Sequence, residues 1–128
     1  MEEIILDTCA ILWLGMGGGS LSEDAKRRLS RSYHLYFSPI SAWEIMRKYT
    51  DGGIELPEEP HAFLERVCDY FLVEELPLTR DIMFRAASLP MFHKDPADRF
   101  IIATAIAHGM PVATGDRHFA EYGIETFK

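Results

Sequence analysis

Four acidic residues could together hold a divalent cation: Asp7, Glu44, Asp98 and Asp116. Carboxylates that lie close together repel one another, so a fold keeps them ionised only if a cation neutralises them or some of them take up protons. Hard oxygen ligands suit Mg²⁺ and Mn²⁺, which keep several waters and also bind phosphates. Such an ion can activate water and stabilise the transition state of phosphodiester hydrolysis. This chemistry requires a fold that brings the four side chains together.

Two of the acids follow runs with the pattern of strands. The apolar run at 3–6 ends at Asp7, and the run at 112–114 leads through Gly115 to Asp116. Ligands of an open parallel sheet bind beyond the carboxyl ends of its strands. Both acids are therefore predicted to lie at the same edge of a sheet.

The other two acids lie near predicted helix starts. Ser41 and Glu44 match the S-x-x-E capping box. Asp95 is predicted to be an N-cap, with Pro96 as the first helical residue and Asp98 in the first turn. Helices that connect parallel strands begin close to the carboxyl ends of those strands, so both acids can face the same crevice.

Each acid also has a purely structural interpretation. Asp98 and Asp116 can cap helices, each worth about 1 kcal/mol. Glu44 can complete a capping box, and Asp7 can accept backbone hydrogen bonds in a turn. Taken singly these interpretations are favoured, but they explain less well why all four acids fall on one predicted edge.

Strands and helices are predicted to alternate along the chain. The predicted strands are 3–6, 35–37, 72–76, 112–114 and 124–127. The predicted helices are 22–31, the one that carries Glu44, 61–71, one from the cap Thr79 through Ala87, and one opened by Asp95 and closed by Gly109; 10–14 fits a helix or a buried turn. Each parallel connection needs a helix-sized crossover, so the sheet should be parallel and covered on both faces. The apolar stretch 100–107 should be the central buried helix.

Length and composition predict one soluble domain over residues 1–128, with 48% hydrophobic and 26% charged residues. Cys9 and Cys68 are too few for a disulfide framework and form no zinc pattern. Acids at positions 2 and 3 do not fit a secretory signal, and no apolar run reaches the ~18 residues of a membrane span. A cytoplasmic protein without membrane association is expected.

The net charge of −7 argues against nucleic-acid binding through a broad cationic surface, because such binding depends on Lys and Arg displacing phosphate counterions. Any cations for such a partner must be local or supplied as metal. Two small basic groups are present: Lys26, Arg27, Arg28 and Arg31 on one predicted helix, and Arg47 with Lys48 beside Glu44. The first group fits a solvated helix face at least as well.

The segments around the acids share a recognisable pattern. They are Ile5–Thr8 with Leu12–Leu14, Ser41–Ile45, Leu89–Pro90 followed by His93–Ala103, and Ala113–Asp116. In this order, and over nearly the whole chain, they resemble the PIN-domain ribonucleases, in particular the VapC-like toxins of toxin–antitoxin pairs. The D-P-x-D-R helix start together with S-x-W-E is the most specific part of this resemblance.

The resemblance implies a three-layer α/β/α sandwich with a five-stranded parallel sheet. It also implies Mg²⁺-dependent endoribonuclease activity on RNA, homodimerisation, and inhibition by a small cognate antitoxin protein. By the same resemblance, Asp7 and Asp98 are the principal metal ligands, and Glu44 and Asp116 complete the catalytic site directly or through water.

Further residues match the family pattern less directly. Thr8 and Thr114 resemble hydroxyl residues that orient a carboxylate or a water. Arg99 and His93 match the motif; Arg99 is expected to pair with a neighbouring acid and His93 to be a loop residue. Asp95 is expected to be a cap and not a ligand.

Other classes fit less well. A haloacid-type phosphatase needs an acid at position 9, where this chain has Cys9, and a receiver domain needs a phosphoacceptor acid where the third strand leads into Leu76–Leu78. A catalytically inactive PIN-like module that dimerises or binds a partner stays open, since a sequence shows ligands and not turnover. Trp13, Phe63 or Phe71 could line a groove for an antitoxin segment, although core packing also accounts for them.

Overall fold

The sheet has five strands, and every neighbouring pair is parallel, as predicted. This arrangement comes from a computed structural model, which describes residues 2–128. The strands are β1 (Glu3–Leu6), β2 (His34–Phe37), β3 (Val73–Glu75), β4 (Val112–Ala113) and β5 (Thr126–Phe127), in the spatial order β3-β2-β1-β4-β5.

Six α-helices and one short 3₁₀ helix connect the strands within the described residues. They are α1 (Thr8–Gly15), α2 (Glu23–Arg31), α3 (Pro39–Thr50), α4 (Pro60–Phe71), α5 (Arg80–Ser88), α6 (Pro96–His108) and the 3₁₀ helix Arg117–Tyr122. The predicted boundaries of α6 are confirmed: Asp95 caps its start, and Gly109 ends it with a positive φ of 65°. Across residues 2–128, no helix combines the length and apolarity that a membrane crossing requires.

Alternation along β1 separates the two apolar layers. Ile4 and Leu6 face one layer, which contains α1, α2 and α4. Ile5 faces the other, where Ile101 and Ile102 of α6 cover the sheet. On its outer side α6 packs against α5 through Ala103. The α/β/α sandwich and the central position of α6 are thus confirmed, because α6 is enclosed between the sheet and another helix.

The capping box predicted at Ser41 and Glu44 is wrong. Helix α3 begins one turn earlier, at Pro39, and the side chain of Ser38 accepts a hydrogen bond from the N–H of Ile40 at 3.3 Å. Proline at the first helical position has its φ already set for a helix, so Ser38 is the better cap. Ser41 and Glu44 are therefore inside the helix, and their side chains are available for other contacts.

Of the three aromatic residues considered for an exposed groove, Phe63 is fully buried in the core. Trp13 is partly buried and packs closely against Gly19 and Gly115. Phe71 does line a groove, of about 1170 Å³, beside the exposed residue Leu72. Core packing therefore accounts for Phe63, whereas Phe71 is partly buried against the core and also lines this groove.

The strand order changes direction at β1, since β2 and β3 lie on one side of it and β4 and β5 on the other. Leu6 of β1 is the direct neighbour of Ala113 of β4. In open α/β sheets the ligand crevice forms at such a switch point, beyond the carboxyl ends of the two strands. The residues that follow these strands, Asp7 and Thr114, lie at that position.

Candidate acidic active site

Asp7 is held by the ends of β1 and β4. Its Oδ1 accepts from the N–H of Ala10 at 2.8 Å, because Asp7 is the N-cap of α1, and its Oδ2 accepts from the hydroxyl of Thr114 at 2.5 Å. The Thr114 oxygen in turn accepts from the N–H of Asp116 at 3.0 Å. Asp7 is 4% exposed. Thr114 thus ties together the two acids that follow strands.

Gly115 is required between Thr114 and Asp116 by a close approach. A Cβ atom built at this position would lie 2.7 Å from Cη2 of Trp13, which is far inside contact distance. Any other residue here would push Trp13 of α1 away from the end of β4. The T-G-D sequence is therefore shaped by packing next to the acids.

Glu44 is fixed from the start of α1. The hydroxyl of Thr8 donates to Oε1 of Glu44 at 2.5 Å, and the hydroxyl oxygen of Ser41 lies 2.9 Å from that of Thr8. Thr8 has one proton and gives it to Glu44, so Ser41 donates to Thr8. Glu44 is 3% exposed. A buried chain of hydroxyls therefore sets the orientation of this carboxylate.

Asp98 lies in two separate groups of ligand atoms. One group consists of Glu44, Asp95 and Asp98, and the other of His93, Asp98 and Asp116; within each, the ligand atoms lie within 4.8 Å of one another. Asp95 also caps α6 by accepting from the N–H of Ala97 at 3.0 Å. Asp98, in the first turn of α6, is therefore the carboxylate that lies near both Glu44 and Asp116.

The structure brings the four predicted acids to one place, with unequal contacts. Asp98 is grouped with Glu44 and, separately, with Asp116. Neither group includes Asp7, which is connected to Asp116 through the hydroxyl of Thr114. The three carboxylates of Glu44, Asp95 and Asp98 supply oxygen donors of the type that Mg²⁺ and Mn²⁺ prefer, so this donor set fits a hard divalent cation.

His93 matches the family pattern and lies in a loop, as expected, and its ring also belongs to the site. Its Nε2 lies 2.7 Å from Oδ2 of Asp116 and 2.9 Å from Oδ2 of Asp98. It lies in the α5–α6 loop, residues 89–95, which connects α5 to α6. No local pattern marks a loop histidine of this kind, because its place depends on contacts with residues distant in sequence.

The ion pair expected for Arg99 is wrong. The guanidinium donates instead to backbone carbonyls: Ala86 at 2.8 Å, Leu89 at 2.7 Å, Pro90 at 3.0 Å and His93 at 3.1 Å. The last carbonyls of a helix lack intrahelical partners. Arg99, which is 8% exposed, satisfies those at the end of α5 and holds the α5–α6 loop against α6.

Burial opposes ionisation of two of the acids. It raises the pKa of Asp7 to about 6; the hydrogen bonds from Thr114 and Ala10 act in the opposite direction, and the charge of Glu44 adds to the rise. Burial also raises the pKa of Asp98, with further contributions from the neighbouring acids. The ionised centre is therefore short of positive charge, which a divalent cation would supply.

Asp116 differs from these two acids. Burial acts to raise its pKa, but the hydrogen bonds from the backbone of His118 and from the ring of His93 outweigh burial and hold the pKa below its usual value. Asp116 is therefore ionised more readily than Asp7 or Asp98. This difference follows from its position outside the most deeply buried part of the site.

The two basic groups have different positions. Arg28 of α2 binds Glu2, which precedes β1, so that group lies towards the amino ends of the strands. Lys48 of α3, one turn beyond Glu44, is close enough to Cys9 to influence the pKa of its thiol. Only the group on α3 therefore flanks the acidic site.

The fold and the site together define a class: a three-layer α/β protein with a cluster of acidic side chains at the switch point of a parallel sheet. The family model of the PIN domain matches residues 4–125, and the chain belongs to this family.

Known proteins extend this assignment. The chain is 28% identical over 123 residues to a protein named ribonuclease VapC22 from Mycobacterium tuberculosis, covering 95% of this chain and 93% of that relative. It superimposes on the structure of VapBC2 from Rickettsia felis bound to a promoter DNA fragment with a TM-score of 0.72 at 14% identity, covering 97% and 96% of the two chains. VapBC-5 from Mycobacterium tuberculosis, a member of the VapBC family of toxin–antitoxin systems, gives a TM-score of 0.63 at 17% identity, covering 100% and 99%. The two structures show that the fold is shared.

Proposed function

We propose that the protein is a Mg²⁺-dependent endoribonuclease that hydrolyses phosphodiester bonds of RNA, with Mn²⁺ as a substitute ion. The proposed metal and catalytic residues are Asp7, Glu44, Asp98 and Asp116. The observation that carries the proposal is the position of Asp98 in two groups of ligand atoms at the switch point. Membership of the PIN family and the likeness to a relative named a ribonuclease support it.

Each proposed residue has a defined task. The family resemblance made Asp7 and Asp98 the principal ligands; because Asp98 is grouped with Glu44 and Asp7 is in neither group, Glu44 and Asp98 would hold the ion directly. Thr8 keeps the Glu44 carboxylate in place. Asp7, fixed by Thr114, and Asp116 would complete the centre directly or through water. A bound divalent ion supplies an activated water and neutralises charge that develops on the phosphate. Lys48, which flanks the site, would attract the RNA backbone locally where the net charge of −7 does not.

Cleavage of total RNA by the purified protein tests this proposal. Wild type should cut RNA in Mg²⁺ and stop in EDTA, and Asp98→Asn should lose cleavage by at least about a hundredfold, because it loses the shared carboxylate. Asp81→Asn is the matched control, since Asp81 is exposed on α5 and pairs with Arg85. Equal cleavage by wild type and Asp98→Asn would refute the assignment, and a module that only binds a partner would show no cleavage in any variant.

We also infer that the protein is the toxin of a toxin–antitoxin pair and that a small cognate antitoxin inhibits it. The VapBC relatives and the apolar groove lined by Phe71 and Leu72 support this inference. Expression alone should arrest growth, and co-expression of a small protein encoded beside it should restore growth. Expression without any growth defect would argue for a different role.

The expected assembly is a homodimer in the cytoplasm. Each chain is expected to form a single domain. The family model that spans residues 4–125 supports the single domain. Exposed apolar side chains on two helices support the dimer: Trp43 and Met46 on α3, and Met83 and Phe84 on α5. Sedimentation should give twice the mass of the chain, and Phe84→Glu should shift it towards the monomer. A wild-type monomer at all concentrations would refute the dimer.

A further inference from the structure

His93 lies between two of the proposed metal ligands. Its Nε2 is within hydrogen-bond distance of Asp116, at 2.7 Å, and 2.9 Å from Asp98. Its side chain is 13% exposed. The proposed hydrolysis does not use this ring, so its place in the centre requires a separate account.

The other ring nitrogen determines what Nε2 can do. The backbone N–H of Asp95 donates to Nδ1 of His93 at 3.2 Å. Nδ1 therefore carries a lone pair, and the proton of the ring is on Nε2. A histidine that binds a metal through Nε2 has its proton on Nδ1 and donates it to an acceptor. A backbone N–H cannot accept that proton, so the geometry favours His93 as a donor and not as a ligand.

The backbone and the ring of His93 are both held. Its N–H donates to the hydroxyl of Tyr122 at 2.8 Å, and its carbonyl accepts from Nη1 of Arg99 at 3.1 Å. The ring makes edge contacts with His118 and Phe119, with centroids 5.6 and 6.0 Å away. The Nε2–H group is therefore set in place by three separate elements: α6, the 3₁₀ helix and the α5–α6 loop.

We propose that His93 is a latch for the metal-free centre. Its Nε2–H donates a hydrogen bond to Asp116, and the partial positive charge of this proton lies beside Asp98. Without the ring, the carboxylates of Asp98 and Asp116 would face each other. The latch rests on the proposed function, because it takes a divalent cation as the species that competes for these oxygens. A cation that uses both Asp98 and Asp116 must first displace this hydrogen bond. His93 therefore lowers the metal affinity of the free protein.

Calorimetric titration of the full chain with Mg²⁺ and with Mn²⁺ at one pH tests the latch. His93→Ala should bind either ion with a Kd about tenfold lower than wild type, since the ion no longer displaces a hydrogen bond to a carboxylate. His93→Gln keeps an N–H donor and should stay close to wild type. His61→Ala is the control, because that ring is exposed on α4 and pairs with Glu65, away from the acidic centre. Weaker binding by His93→Ala would overturn the latch and make His93 a ligand.

Proton–nitrogen correlation spectra of ¹⁵N-labelled wild type give a second test that needs no variant. The His93 ring should carry its proton on Nε2 without metal and should keep it there in saturating Mg²⁺. A ring protonated on Nδ1 alone, in either state, would overturn the latch while leaving the metal centre intact. Absence of Mg²⁺ and Mn²⁺ binding in wild type would overturn both the metal centre and the latch.

Discussion

The acidic centre has a sheet-edge side, Asp7 with Thr114, and a loop side, Asp98 with His93, and the two are held differently. Both oxygens of Asp7 accept hydrogen bonds from groups that the sheet and α1 place. Asp98 lies instead among other acids and against a histidine of the α5–α6 loop.

The difference separates a fixed part of the site from an adjustable one. The sheet-edge side follows from the pairing of Leu6 with Ala113, which cannot change without breaking the sheet. The loop side depends on the bonds that Arg99 and Tyr122 make to a short connection. Ligand exchange in this centre is therefore expected on the loop side, while Asp7 stays in place.

The largest effect should come from Arg99→Met, which removes the donor that holds the loop side. Four backbone carbonyls would lose this donor, although that of Pro90 keeps the Tyr122 hydroxyl, and the free energy of unfolding should fall by about 3 kcal/mol. Urea denaturation measures this loss. Arg99→Lys should recover part of it, because lysine keeps a charged donor. A loss below about 1 kcal/mol for Arg99→Met would show that the loop is held in another way.

Asp7→Asn should change the pH dependence of stability on the sheet-edge side. Burial raises the pKa of Asp7 in the folded protein to about 6, above the ordinary value of 3.8, so the folded state holds its proton more tightly than the unfolded state. The stability due to this group is present below pH 4 and is lost as the pH rises through about 6.

In EDTA, the free energy of unfolding of wild type should therefore fall relative to Asp7→Asn by on the order of 2 kcal/mol between pH 4 and pH 7. Saturating Mg²⁺ should reduce this fall, because a cation stabilises the ionised carboxylate. Denaturant titrations at a series of pH values give the two curves. Parallel curves for wild type and Asp7→Asn would contradict the raised pKa.

Substitution of Thr114 and of Thr8 compares how strongly a hydroxyl orients Asp7 at the sheet edge and Glu44 on α3. Thr114→Val leaves Oδ2 of Asp7 and the N–H of Asp116 without their partner, and it should cost about 2 kcal/mol of stability. RNA cleavage should fall about tenfold, as for residues that orient metal ligands. Thr8→Val should have a similar effect on cleavage through Glu44. Full activity in both variants would show that these hydroxyls do not orient the acids.

The smallest effect should come from Tyr122→Phe, which keeps the ring contact with Phe92 but removes the hydroxyl that bonds to Pro90 and His93. Because Arg99 still holds the loop, stability should fall by only about 1 kcal/mol. Thermal unfolding of Tyr122→Phe and of Arg99→Met, measured under the same conditions, ranks the two losses of stability. A loss equal to that of Arg99→Met would place the control of the loop in the 3₁₀ helix.

The sheet, its helices and the cap of α6 could be predicted because their signals are local. Asp95, Pro96 and Gly109 each mark a helix end within a few residues, and β1 is a short apolar run that ends at an acid. The start of α3 was predicted one turn late, since two serines three residues apart both fit a cap. Only Ser38 is followed by proline, which was the signal that decided between them.

The loop side of the site could not be predicted in this way. Arg99 was expected to pair with an acid, and the sequence contains no sign that the end of α5 would present its carbonyls to that side chain. His93 acquires its place from Arg99, Tyr122 and Asp95 together. Such positions depend on how helices meet in three dimensions, which local patterns do not encode.

Binding of Mn²⁺, followed by electron paramagnetic resonance, tests most directly whether the acidic centre is a metal site. Wild type and Asp81→Asn should bind the ion equally. Asp98→Asn should bind it at least about tenfold more weakly, because Asp98 belongs to both groups of ligand atoms. Equal Mn²⁺ affinity of Asp98→Asn and wild type would contradict the account.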